Sequence, residues 1–498
     1  MVRKIISFLL LPLLFTNTGF AQGQNDYEMI DNYIKKQMKI QAIEGLSYAI
    51  VKEGKIDHLQ SFGNADIGKK LTPQTPMKLA SLSKSFTSLA IMQLVEQGKV
   101  DLDSPVQKYI PWFSLRDKEA SAKITVRHLL NQTSGISADG EVEIANELKG
   151  ISLEETVRLL RKVELSHPVG SKFEYTNLNY LCLGLVVEKV SGESLSSYLE
   201  GHILTPLDMK NSYTSIEEAQ MHGLSMGYSS WFGMHLPTRT ALDDLPNFLA
   251  SGYMTASAED MGKYLLSLMN DMNPVLSAKG VKELQTPAVT AKMYLDGTYF
   301  GNYAMGWWKR EVQGTEVIGH SGDLFSAART DMYILLKEKI GVVVLTNTNN
   351  GRFTPGDSHK TTDGVISLLA GKQPIEENNQ HDYQQHYLIM NSIVLGILVM
   401  IIISFLRLKK RLNKLSRPDA NKKWIMYLIL FQLFLPVALY LGMPKLLNFP
   451  SWSFLFCVQP DLVSSFMIVF ILFFGLGILN GFVLLSIKLK KHNSLKFE

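Results

Sequence analysis

"ASLSKSFTSLAIMQLVEQGKV", residues 80–100, places Ser81 three positions before Lys84 at the mouth of an apolar helix. Residues at i and i+3 share one helix face, so the amine can reach the hydroxyl. A hydroxyl beside a base is the arrangement of an activated nucleophile. Leu89, Ile91, Met92, Leu94 and Val95 carry the helix to Gly98, whereas Ser81, Ser83, Lys84 and Ser85 crowd its first turn. A lysine at that end opposes the helix dipole, which disfavours its ammonium form. Desolvation would lower its pKa further, toward the range of roughly 7 to 8 in which an amine accepts a proton. Against this stands chance: Ser and Lys are common, and about one or two accidental S-x-x-K matches are expected in a chain of this length. The surroundings have to decide.

Both chain ends are apolar, in different ways. "MVRKIISFLLLPLLFTNTGFAQ" has Arg3 and Lys4, a short apolar run from Ile5 to Phe15, and small residues at Gly19 and Ala21. It reads as a signal peptide, residues 1–21, cut after Ala21. Three long apolar segments, 387–406, 424–443 and 461–487, have the length of membrane spans. The first two flank Arg407, Lys409, Lys410, Arg411, Lys414, Arg417, Lys422 and Lys423, and four more lysines follow the third, whereas the loop between the second and third holds only Lys445. The positive-inside rule puts the basic segments in the cytoplasm and residues 22–386 outside, in agreement with the leader. The expected location is therefore the cell membrane, multi-pass, with the main domain extracytoplasmic.

The formal charge of +4 hides this division. Residues 22–386 hold 35 basic and 43 acidic residues, a net charge of −8, so a nucleic-acid partner is not expected. Only Cys182 and Cys457 occur, so a disulfide framework is not expected, and the exported part must be held by its core. Within it, "LSYAIVKEGKIDHLQSFGNADIG" alternates around Lys52-Glu53-Gly54-Lys55 as a hairpin. Helical stretches follow at 80–98, 124–136, 153–163, 177–192 and 257–269, the last with Ser257 and Asp260 as an N-cap and N3 pair. "TEVIGHSG", "RTDMYILLKEK" and "IGVVVLTNT" return to strand, and "TTDGVISLLAG" closes with a helix. The predicted class is α/β: an antiparallel sheet made by both ends of the domain, flanked by helices, with an inserted helical region and a cleft between the two parts. Residues 22–372 form this domain and 373–386 a polar linker.

Two more short patterns join Ser81-Lys84: Tyr175-Thr176-Asn177 before a helix and His320-Ser321-Gly322 on a strand. Alone, such a tyrosine is most often packed and such a histidine structural. Together and in this order, S-x-x-K, Y-x-N and [KH]-[ST]-G closely resemble the serine penicillin-recognising hydrolases of the class C β-lactamase and DD-peptidase family. "ITVRHLLNQTSGIS", "FEYTNLNYLCLGLVVEKVSG" and "ASGYMTASAEDMGKYL" extend the likeness over roughly residues 25–372. The three trailing spans are similar to those of membrane-bound, FmtA-like staphylococcal members.

The resemblance implies that Ser81 attacks a carbonyl, that Lys84 and Tyr175 move the proton, and that Asn177, His320, Ser321 and Gly322 hold the substrate. Backbone N–H groups of Ser81 and Asp323 would form the oxyanion hole. The substrate class implied is a D-amino-acid amide or ester of the cell envelope, or a β-lactam, and acyl-enzyme chemistry of this kind needs no cofactor. His320 stands where most β-lactamases of the class carry lysine, a departure shared with peptidases and esterases. Two further outcomes use the same machinery: a β-lactamase, and a penicillin-binding receptor or scaffold that is acylated without turnover. Segments 407–423 and 488–498 are too short to hold an output domain for the latter.

Gly223-Leu224-Ser225-Met226-Gly227 fits the G-x-S-x-G elbow of α/β-hydrolases and offers a rival serine. That elbow needs a strand before the serine and a helix after it, and Gly233 and Pro237 oppose a helix here. Ser225 is expected to be structural. The histidines are scattered without H-E-x-x-H or paired-cysteine spacing, so no metal site is expected.

Overall fold

The computed structural model describes residues 18–238, 241–270, 273–292, 299–324, 327–349, 359–375, 383–407, 422–446, 452, 455–456 and 460–494. Residues 1–17 of the expected leader, most of the basic loop after the first apolar segment, half of the expected linker and Cys457 lie outside these. The expected cleavage point after Ala21 falls near the start of a continuous helix, α1 (Thr18–Gln41), which the alternation-based reading did not anticipate. Its Ile30 and Ile34, four apart, are buried on one face.

One antiparallel sheet organises the domain. Its strands are β1 (Gly45–Lys52), β2 (Lys55–Asp66), β3 (Lys69–Lys70), β4 (Val289–Lys292), β5 (Tyr299–Ala304), β6 (Trp307–Val312), β7 (Thr315–Leu324), β8 (Ala328–Leu335) and β9 (Ile340–Thr346). The spatial order is β3-β2-β1-β9-β8-β7-β6-β5-β4, so the first and last strands of the domain pair in the sheet's interior, Leu46 opposite Thr346 and Ala49 opposite Val343. Residues from both ends of the domain thus complete one sheet, and the helical region falls between β3 and β4.

β1, β8 and β9 are buried along almost their whole length because both faces are covered. Tyr48, Ile50, Val342 and Val344 face α1 and the closing helix, whose Val365 and Ile366 join the same cluster. Ala49, Val51, Val343 and Leu345 face the opposite way, against Met261 and Leu265 of the helix Ala258–Met269. A period of two separates the two sets, as a pleated strand requires. Ser257 caps that helix by accepting the Asp260 N–H at 3.1 Å, the predicted pair. The centre of the helical region is Ser83–Glu96, of which Ser83 to Met92 are all buried; a helix enclosed on every side is a core element rather than a surface one.

Beyond the domain, Tyr383–Leu406, Lys422–Leu446 and Pro460–Ser494 are helical. Each contains a window long and apolar enough to cross a membrane: Tyr387–Leu406, Ile429–Leu446 and Pro460–Phe482.

Candidate active site

The Ser81 turn is held where the helical core meets the sheet. Ala80, just before the serine, has φ +48°, a left-handed conformation that costs a non-glycine residue energy and persists only when its surroundings fix it. They do so from three sides. Leu79 N–H donates to Met254 O at 2.9 Å, Thr330 Oγ1 donates to Leu79 O at 2.7 Å, and Ser83 Oγ donates to Ala80 O at 2.7 Å. β7 presses against the same turn at Gly322: a Cβ there would lie 2.2 Å from Leu79 O and 2.4 Å from Thr330 Oγ1, so only glycine lets the strand come this close.

Lys84 is fully buried one turn on, and its Nζ meets three oxygens: Ser81 Oγ at 3.0 Å, Asn177 Oδ1 at 2.6 Å and the Ser251 carbonyl at 2.8 Å. Burial lowers its pKa to about 7, with the Glu141 carboxylate pulling modestly the other way. Desolvation, expected beside the helix dipole, is the largest cause of the shift.

Asn177 opens the helix Asn177–Ser191, capped by the Thr176 hydroxyl, and Tyr175 immediately precedes it. Glu141 fixes this corner. Its Oε1 accepts the Asn177 backbone N–H at 2.5 Å and the Thr176 hydroxyl at 3.1 Å, while Oε2 accepts from Asn177 Nδ2 at 3.0 Å. With the amide nitrogen taken by a carboxylate, Asn177 must present its oxygen to Lys84. Tyr175 is half-buried, its ring centroid 4.9 Å from Lys84 Nζ. Burial raises its phenol pKa well above the ordinary value, and a hydrogen bond with Ser81 only partly offsets this.

His320 sits on β7 facing the same space, its ring 6.4, 6.1 and 6.3 Å from those of Tyr175, Tyr303 and Trp308. Its Nδ1 lies 2.6 Å from Ser321 O, which can only accept, so the proton is on Nδ1 and Nε2 carries the lone pair. Nε2 is buried without a partner. Burial, together with the Lys84 charge, lowers this pKa to about 3, so the ring is neutral throughout the physiological range. The pleat sends Ser321 and Asp323 to the other face of β7, where Asp323 pairs with the buried Arg329. β6 pairs with β7 only as far as Trp308 opposite Gly319, so residues 321–324 are paired on the β8 side alone and leave an edge open beside the Ser81 turn.

Ser81, Lys84, Tyr175, Asn177, His320 and Gly322 are thus brought together. Glu141, Ser251 and the aromatic wall of Tyr303 and Trp308 carried no spacing by which the sequence could reveal them, and Ser251 contributes only its backbone. Ser225 lies elsewhere: its hydroxyl donates to Ala65 O at 3.1 Å and accepts from Asn347 Nδ2 at 3.0 Å. A helix, Ile216–Met221, precedes it and a strand, Gly227–Trp231, follows, the reverse of a nucleophile elbow. Among the described residues no group of histidines, cysteines or acids is placed to hold a metal.

Comparison with known proteins gives the family and the fold. A family profile described as Beta-lactamase matches residues 30–363. Protein flp of Staphylococcus aureus (strain MW2) is 31% identical over 333 residues, covering 65% of this chain and 63% of its own length. The chain therefore spans less than two thirds of that relative. Among solved structures, the octameric penicillin-binding protein homologue from Pyrococcus abyssi is 30% identical with a TM-score of 0.61, over 70% of this chain and 78% of that one. The D-amino acid amidase from Ochrobactrum anthropi SV3 shares the fold at 22% identity, with a TM-score of 0.59 over 69% and 99% of the two chains.

Proposed function

The chain belongs to the Beta-lactamase family, and on that premise we propose that it is a serine hydrolase that forms an acyl-enzyme on Ser81. One observation carries the proposal: the three contacts of Lys84 Nζ. A neutral amine has two N–H bonds and one lone pair. Asn177 Oδ1 and Ser251 O can only accept, and they take both N–H bonds, so the lone pair faces Ser81 Oγ at 3.0 Å. The hydroxyl then donates to the amine, which removes its proton as Oγ attacks the substrate carbonyl. With a pKa of about 7, Lys84 is partly neutral before the reaction and basic enough to take the proton.

The tetrahedral oxyanion would lie between the Ser81 turn and the open edge of β7, within reach of the backbone N–H groups of Ser81 and Asp323. Tyr175, whose burial keeps it a phenol, gives its proton to the leaving amine or alkoxide and recovers one from Lys84. Water then attacks the acyl-enzyme along the same proton route. Neutral His320 and the aromatic rings around it suit the uncharged part of a substrate. We place the substrate among D-amino-acid amides or esters of the cell envelope, with the domain outside the membrane and the three apolar helices as its anchor. The D-amino acid amidase neighbour supports that class by likeness of fold.

The experiment offers the full chain, in detergent, a D-alanyl ester, a D-Ala-D-Ala peptide and a fluorescent penicillin. Turnover of the ester or peptide, abolished by Ser81→Ala, is expected. Labelling by penicillin at one equivalent without turnover of any substrate would support the receptor reading instead, and turnover of penicillin alone the β-lactamase reading.

A further inference from the structure

Residues 227–238 form a two-stranded hairpin that takes no part in the site: Gly227–Trp231 pairs with Met234–Thr238, Trp231 opposite Met234. Its turn is Phe232-Gly233, with φ +54° and +87°. Two-residue hairpin turns of this hand favour Asn, Asp or Gly, and a bulky phenylalanine at positive φ is an outlier that something must hold in place.

The holding groups come from the helices beyond the domain. Phe232 N–H donates to Asp461 Oδ2 at 3.0 Å, and Asn391 Nδ2 donates to Phe232 O at 2.9 Å. Both main-chain groups of one residue are therefore captured by side chains of two different membrane-length helices, Pro460–Ser494 and Tyr383–Leu406. Asp461 is fully buried, where a carboxylate must be hydrogen-bonded to be tolerated; it also accepts its neighbour Leu462's N–H at 2.8 Å. Gly233 lies against buried Tyr387, to which an added Cβ would come within 3.0 Å, and the Trp231 ring meets Phe456 edge-on at 6.3 Å.

The hairpin's other end is rooted in the domain. Tyr228 N–H donates to Asn347 O at 2.9 Å just past β9, and a Cβ on Gly227 would come within 2.8 Å of Ala327. We propose that this hairpin is a docking strut that seats the hydrolase domain on the ends of its own helices, so that the domain is held at one attitude to the bundle rather than swinging on a tether. The partner surface is the pair of helix ends presenting Asn391 and Asp461. The seat is separate from the chemistry at Ser81 and stands or falls without it.

The test uses the full chain in membranes, carrying Cys457→Ser and a protease site inserted within 376–382. Phe232→Cys with Asn391→Cys is oxidised and the linker is then cut. The two pieces are expected to stay joined until reductant is added, whereas Ile67→Cys, at a position 77% exposed, with Asn391→Cys is expected to leave them separate. Adding Asp461→Ala should slow joining roughly tenfold, the loss expected of a charge-assisted hydrogen bond. Trp231→Cys with Phe456→Cys reads the same seat without altering the turn. Failure of both pairs to join above the control, in chains whose domain remains protease-resistant, would overturn the proposal, as would joining unaffected by Asp461→Ala.

Discussion

Two serines of this chain sit in short motifs that promise catalysis, and the structure gives them opposite surroundings. Around Ser225 the hydroxyl is spent: it donates to one backbone carbonyl and accepts from one amide, tying residues 225–228 to the sheet. Around Ser81 the hydroxyl meets a buried amine whose other contacts are both acceptors. The difference teaches that a serine's surroundings decide what its oxygen faces, and in the proposed mechanism the strained Ala80 and the close pass of Gly322 aim Ser81. Ser225 has no comparable base.

The largest effect should come from the serines themselves. Ser81→Ala is expected to lower kcat/KM by roughly 10⁴-fold or more, because members of a nucleophile–base unit are not individually replaceable. If the Ser225→Ala variant lost activity to the same degree instead, the comparison would collapse. Next is pH. In the proposed mechanism neutral Lys84 is the active form, so kcat/KM should rise about tenfold per unit below pH 7 and level off above it, following the pKa of about 7. A flat acid limb would remove Lys84 from the role of base.

Glu141→Gln sharpens the comparison from the side of the base. Losing the carboxylate frees the Asn177 amide to turn and weakens its hold, which should cost about 10- to 100-fold at the plateau, in line with a charge-assisted hydrogen bond. It should also move the acid limb to lower pH, since the anion that raises the lysine's pKa is gone. A structural role alone would lower the plateau without shifting the limb. Smaller still, Ser225→Ala should leave kcat/KM unchanged and cost about 1–2 kcal/mol in unfolding free energy from the lost hydrogen bonds.

His320 gives a fifth outcome, in stability. Its folded pKa of about 3 lies below the ordinary histidine value near 6.5, so between these values the unfolded chain binds the extra proton. Its contribution is complete above pH 6.5 and is lost as pH falls toward 3. Replacing it by Gln should flatten that part of the stability profile, read from denaturant unfolding. Any carboxylate attraction by a protonated His320, which an ordinary histidine pKa would allow, is not available near neutral pH.

Much of this was legible in the sequence. Period-two alternation located β1, β2, β7, β8 and β9, and the Ser257–Asp260 pair located its helix start. Ser81, Lys84, Tyr175, Asn177 and His320 stand in short local patterns, and they meet where the helical core packs on the sheet. What the sequence hid was of three kinds. β4 to β6 and the hairpin 227–238 are short or interrupted by glycine, and their apolar residues do not alternate over a sufficient length. α1 begins inside the expected leader, at Thr18–Ala21, and runs on through a mostly polar segment with few apolar positions to mark it. Glu141 and Ser251 act through contacts between elements far apart in the chain, one through a carboxylate with no motif around it and the other through a carbonyl that every residue possesses.

The most direct test of the central claim is mass mapping of the acyl adduct. The full chain is mixed with a slowly released D-alanyl aryl ester or penicillin, quenched in acid and digested. One adduct is expected, on the peptide that contains Ser81, forming faster as pH rises through 7 and absent from Ser81→Ala. An adduct on the Ser225 peptide, or undiminished labelling of Ser81→Ala, would contradict the account.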